Sequence, residues 1–109
     1  MTGMAICDER ILFTNLAIEM YGYSDKLVHG DVITVYDADD ILCGKCQVEV
    51  DGEYGLMSVY GDDPLSRDRD EGAVSGDRLR VYLNGELLEP VNGDAIVWTH
   101  NGDRMQVDF

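Results

Sequence analysis

Cations are scarce in this chain of 109 residues. Eight Lys and Arg, of which Lys26 and Lys45 are the only lysines, face 22 Asp and Glu, giving a formal charge of −14. Nucleic-acid binding depends on clustered cations against phosphate, so that class is excluded. An anionic membrane surface repels the chain for the same reason. Long apolar runs are also missing: no stretch approaches the roughly 20 residues that span a bilayer. The N-terminus shows no basic stretch leading into a long apolar one, so no signal peptide is visible. An exported form of this chain is therefore expected to have lost its signal or to be a module of a larger protein. Cysteines number three, Cys7, Cys43 and Cys46, and an odd count argues against a complete disulfide framework, although one bridge remains open. Catalytic signatures are equally lacking. There is no GxSxG, no HExxH and no glycine-rich phosphate loop, and His29 and His100 sit in turn-like contexts without a nucleophile beside them in sequence. No catalytic residue is assigned, and an enzyme whose site assembles from distant positions ranks third among the functional readings.

What is present describes a β protein. An apolar content of 45% with 28% charged residues is that of a globular chain, and its length fits one domain, residues 1–109. The acids are mostly Asp, which favours turns, rather than Glu, which favours helices. A solvated, loop-rich β surface, calcium ligation and adaptation to high salt all remain readings of the excess. No segment is convincingly helical. The nearest candidate, Glu9 to Met20, contains residues that suit a strand as well. Elsewhere short alternating runs are punctuated by Gly, Asn and Asp, the pattern of hairpins.

Val32 to Tyr36 reads as a strand ended by the turn Asp37-Ala38-Asp39-Asp40. The next strand runs from Ile41 to Val50, with Cys46, Val48 and Val50 on one face and Lys45, Gln47 and Glu49 on the other. Asp51-Gly52 turns the chain into Tyr54 to Tyr60, and an acidic loop occupies Gly61 to Asp77. The strand Arg78 to Leu83 meets Asn84-Gly85, a strong type I′ hairpin signal. A last hairpin, Ala95 to Phe109, turns at Asn101-Gly102; in register it sets Trp98 opposite Met105 and Ile96 opposite Val107, which puts Trp98 in the core. Some seven strands with frequent turns point to an antiparallel two-sheet sandwich, with a small closed barrel as the alternative.

Three groups of residues invite a chemical reading. Cys43-Gly44-Lys45-Cys46 has CxxC spacing, but within a strand this spacing sends the two side chains to opposite faces, unless a bulge at Gly44 reunites them. Core cysteines, a bridge to Cys7 and metal or redox chemistry are the alternatives. The acidic loop supplies Asp62, Asp63, Asp68, Asp70 and Glu71 as candidate calcium ligands, because calcium takes six to eight hard oxygens from a flexible loop. Asp68-x-Asp70 matches the opening of an EF-hand loop, yet the glycine comes one position early and flanking helices are missing. Arg67 and Arg69 compete there as ion-pair partners, and the turn Asp37 to Asp40 offers the same reading more weakly. Finally, exposed tyrosines can stack on sugar rings. Tyr82 alternates with Leu79, Val81 and Leu83, points away from their face, and is the candidate ligand-binding residue.

Gly30-Asp31-Val32-Ile33-Thr34-Val35-Tyr36-Asp37, then Cys43-Gly44, then Asp51-Gly52-Glu53-Tyr54-Gly55 resemble the glycine-and-turn pattern of carboxypeptidase-regulatory-like domains. Those are transthyretin-like β-sandwiches, similar to the B-type repeats of collagen adhesins. Val59-Tyr60-Gly61-Asp62-Asp63-Pro64, Asp70-Glu71-Gly72-Ala73, Gly76-Asp77 and Asn84-Gly85-Glu86 continue the likeness, which spans roughly residues 16 to 88. Asp40 stands where a turn glycine is usual, and Cys46 where an apolar residue is commoner. The resemblance implies a non-catalytic stalk, spacer or adhesion module of a secreted or cell-surface bacterial protein. Its expected partners are a protein or polysaccharide at a cell surface, and it carries over no catalytic residue. A carbohydrate-binding module using surface tyrosines is the second functional reading.

Overall fold

A computed structural model describes residues 16–61 and 75–109. Eight strands follow in order: β1 (Ala17–Tyr23), β2 (Val32–Tyr36), β3 (Leu42–Gln47), β4 (Glu53–Tyr60), β5 (Arg78–Leu83), β6 (Glu86–Leu88), β7 (Ile96–Val97) and β8 (Arg104–Gln106). No helix occurs among the described residues, so the all-β expectation holds. The strands form one curled, hydrogen-bonded path, β6-β5-β2-β3-β4-β1-β8, with β7 joined to β5. The curl is that of a half-barrel, and the sheet is mixed, because β8 runs parallel to β1.

Alternation explains most of these elements. In β2, Ile33 and Val35 are fully buried while Val32, Thr34 and Tyr36 are half-buried. In β1, Ile18, Met20 and Gly22 turn inward, which resolves the ambiguous Glu9 to Met20 segment as strand over its described part. Val81 and Leu79 bury the inner face of β5. Fully burying each such aliphatic side chain stabilises the fold by about 1.5–3 kcal/mol. Leu83 and Glu86 flank the two-residue turn Asn84-Gly85, where φ is 49° and 90°, the positive pair that a type I′ turn requires.

Three local expectations need correcting. The strand from Ile41 breaks off at Gln47, and Val48 instead bonds the loop ahead of β2: its N–H donates to Asp31 O at 2.8 Å and its carbonyl accepts from Gly30 N at 2.8 Å. Alternation ends with the ladder, so Val48 is buried while Val50 is 55% exposed rather than inward. A bulge does interrupt β3, but the extra residue is Cys43, not Gly44, because Val35 pairs with Gly44 and Tyr36 with Leu42. As a result both Cys43 and Cys46 face the core, the first fully buried and the second packed against it. Burial pushes the Cys46 thiol up to about 11, which keeps it protonated near neutral pH.

The third correction concerns the last hairpin. The turn forms as expected, with Asp103 N donating to His100 O at 3.1 Å. Its arms, however, do not pair with each other. β7 pairs antiparallel with β5 and β8 pairs parallel with β1. The turn itself is tied to the start of β1: Gly102 N donates to Ala17 O and Asn101 Oδ1 accepts from Ala17 N, both at 2.9 Å. Anchored there, the arms satisfy their main-chain groups on two different strands. Trp98 is nonetheless in the core, 3% exposed, with its indole N–H donating to Val59 O at 2.9 Å.

Candidate functional site

The β2–β5 ladder sets Thr34 opposite Tyr82 and Tyr36 opposite Arg80. Opposed residues share a face, and the alternate positions Ile33, Val35 and Val81 are buried. Thr34, Tyr36, Arg80 and Tyr82 therefore project together from the outer face. Tyr36 and Tyr82 are diagonal neighbours and meet edge to face, ring centroids 5.6 Å apart at 89°, a favoured aromatic geometry.

Arg80 completes the group. Its guanidinium donates to the Tyr82 hydroxyl at 3.3 Å and to the Asp37 carbonyl at 3.1 Å, and it forms an ion pair with Asp40. The bond to Asp40 raises the already high pKa of Arg80, so the cation persists at every physiological pH. Both partners are substantially exposed, and a pair of that kind is worth only about 0.2–1 kcal/mol. Its value lies in placing charge and hydrogen-bonding atoms beside two aromatic faces. Thr34, Tyr36, Asp40, Arg80, Tyr82 and Gly85 enclose an open groove of about 310 Å³.

The turn after β2 is what brings Asp40 there. Asp37 Oδ1 accepts from Asp39 N at 2.8 Å and from Ile41 N at 2.9 Å, an Asx turn. This drives Asp40 to φ 65°, left-handed backbone that Asp tolerates better than most residues. Asp40 thus adopts a backbone conformation commoner for glycine and adds a carboxylate beside Arg80. Asp37 is fully buried, and its Oδ2 has no hydrogen-bond partner among the described residues. Burial raises its pKa, against the lowering effect of the two N–H bonds from Ile41 and Asp39.

Tyr82 projects outward, as the alternation of its own strand implies, but its neighbours come from elsewhere in the chain. Tyr36, Arg80 and Asp40 join it only through the register between β2 and β5, which no local pattern reveals. Of the other tyrosines, Tyr54 is buried, donating its hydroxyl to Val107 O at 2.7 Å and tilting against Phe109 at 5.9 Å, while Tyr23 is 54% exposed but does not line this groove. The expected calcium ligands Asp62, Asp63, Asp68, Asp70 and Glu71 lie outside the described residues. Among the described residues no cluster of three or more His, Cys, Asp or Glu side chains could hold a metal ion. In the Asp37 to Asp40 turn, the Arg80 guanidinium already stands where a cation would compete. No family model matches the chain, and no match is found among curated proteins or solved structures.

Proposed function

We propose that the protein is a non-catalytic binding module whose ligand is a polyhydroxylated molecule, a sugar ring of a polysaccharide, taken up in the groove over Tyr36 and Tyr82. The observation that carries this reading is the pairing of aromatic faces with the Arg80–Asp40 ion pair across one open groove. Aromatic rings stack on the apolar face of a pyranose, while a guanidinium and a carboxylate donate to and accept from its hydroxyls. The module is read as part of a secreted or cell-surface bacterial protein, related to the transthyretin-like two-sheet sandwiches. That kinship is supported by the glycine-and-turn pattern, and by the left-handed backbone of Asp40 where the pattern carries glycine. Calcium bound through Asp62, Asp63, Asp68, Asp70 and Glu71 completes the reading, on the strength of the acidic sequence alone.

A glycan-array screen followed by titration calorimetry tests it. Tyr82→Ala is expected to weaken a sugar ligand about tenfold or more, as loss of a stacking face worth roughly 1–3 kcal/mol would. Tyr82→Phe, which keeps the ring, is expected to retain most of the affinity. Silence across all glycans would retire the sugar reading.

A further inference from the structure

A seam divides the two arms of the splayed hairpin. Leu83 and Glu86 flank a two-residue turn, so Leu83, Val81, Leu79 and Asp77 turn their main-chain groups toward the edge of β5 that carries β6. Trp98 N donates to Asp77 O at 2.9 Å, which places β7 along that same edge. It also makes Arg78–Val97 the widely spaced pair, leaving the N–H and carbonyl of Val97 directed away from β5. On the other side, Glu19 N donates to Asp103 O and Val107 N to Tyr21 O, each at 2.9 Å. The odd positions of β8 thus face β1, and Gln106 turns its main-chain groups outward. β7 and β8 run antiparallel to each other, and each has ladder partners on one side only among the described residues.

The space between them is a groove of about 530 Å³ with a floor that includes Val97, Met105 and Val107. Pro90, Val91, Asn92, Asp94 and Ala95 of the loop ahead of β7 line it too, and Val91 N donates to Asp108 O at 3.0 Å across it. Among the described residues the charged groups lining the groove are Asp94 and Asp108, the latter also accepting from Tyr23 N at 3.0 Å, and no described Lys, Arg or His lines it. An acidic groove between two outward main-chain edges accepts a strand by edge addition, with its cationic side chains set against the carboxylates. A second copy of this chain, also at −14, is a poor electrostatic match.

We propose that the seam between β7 and β8 is a docking groove for a short extended peptide segment of a partner protein that carries Lys or Arg at alternate positions. This site is separate from the groove over Tyr36 and Tyr82 and does not depend on it. Titration of the isotope-labelled protein with acetylated Lys-Val-Lys-Val-Lys-Val amide tests it. Amide shifts are expected to concentrate at Val97, Arg104 and Gln106, with the corresponding Glu-Val peptide causing none. Gln106→Pro removes an outward N–H and leaves the β1 ladder donors in place; it is expected to weaken binding about tenfold. Asp94→Lys, on an exposed loop, is expected to weaken it by at least a similar factor and serves as the second variant if the proline disturbs folding. Shifts spread evenly over the acidic surface, or equal binding by Asp94→Lys, would overturn the proposal. Concentration-dependent dimerisation with seam shifts in the absence of peptide would also overturn it, in favour of a second copy as the occupant.

Discussion

Replacing Gly22 with Ala should release the last three residues from the sheet. Gly22 is buried in β1 where the chain passes under residues 107–109. An added Cβ would collide with the Val107 carbonyl oxygen, and would lie 2.7 Å from its carbon and 2.9 Å from Asp108 Oδ1. The obstruction is mostly main chain, so no rotamer change relieves it. Moving residues 107–109 away breaks Val107 N to Tyr21 O at 2.9 Å and Phe109 N to Tyr23 O at 3.0 Å. It also breaks Tyr23 N to Asp108 Oδ1 at 3.0 Å and the Tyr54 hydroxyl to Val107 O at 2.7 Å. Each such bond is worth about 0.5–1.5 kcal/mol net, and the burial of Phe109, 6% exposed, about 1.5–3 kcal/mol. The low ends of these ranges already come to roughly 3–4 kcal/mol, a large part of the roughly 5–15 kcal/mol of an ordinary domain. Urea unfolding followed by circular dichroism gives the cost, and hydrogen exchange at Val107 and Phe109 gives its location. Gly30→Ala is the control: its Cβ would meet nothing within 4 Å, but its φ of 97° is strained for alanine, so it should lose only about 1 kcal/mol. If Gly22→Ala stays within about 1 kcal/mol of the parent and both amides keep their protection, the reasoning is wrong.

Trp98→Phe should cost about 2–4 kcal/mol, from the cavity it leaves and from Val59 O losing its donor; chemical denaturation monitored by circular dichroism measures it. Asp37 gives a pH signature. Its folded pKa lies above the 3.8 of an unperturbed Asp, so its contribution is fully present below that value and is lost as pH rises through the folded pKa. Asp37→Asn, which keeps the acceptor for Asp39 N and Ile41 N, should therefore gain stability relative to the parent as pH rises from 3.8 toward neutrality. Parallel urea titrations across that range check the slope, and an unchanged difference would refute it. If the acidic run binds calcium, the melting temperature should rise with added calcium and fall with chelator, and Asp68→Asn with Asp70→Asn should abolish both shifts.

Legibility in the sequence tracked the range of the interactions. β2, β5 and the Asn84-Gly85 turn could be read because alternation and type I′ chemistry are local signals. Asn101-Gly102 is legible as a turn for the same reason, but the pairing of its arms is not, since β5 and β1 are distant competitors for those main-chain groups. Val50 followed the alternation of its neighbours on paper. In the fold, Val48 turns to Asp31 and the pattern ends before Val50. Tyr82 could be placed outward from its own strand alone. Its neighbours could not be named, because Tyr36 and Arg80 meet only once β2 and β5 are in register. Asp40 is visible in sequence as part of an Asp-rich turn, but its place beside Arg80 depends on the Asx turn that Asp37 builds.

Trp98 is the only tryptophan in the chain, and its indole joins the β7 segment to Val59 of β4, far away in sequence. Its emission is therefore a clock for a late event. Far-UV signals respond as soon as local hairpins such as β5–β6 form, whereas indole fluorescence reaches its native value only when the β7 segment closes over β4. Long-range closure is slow compared with hairpin formation, so in a stopped-flow refolding experiment the fluorescence should trail the ellipticity.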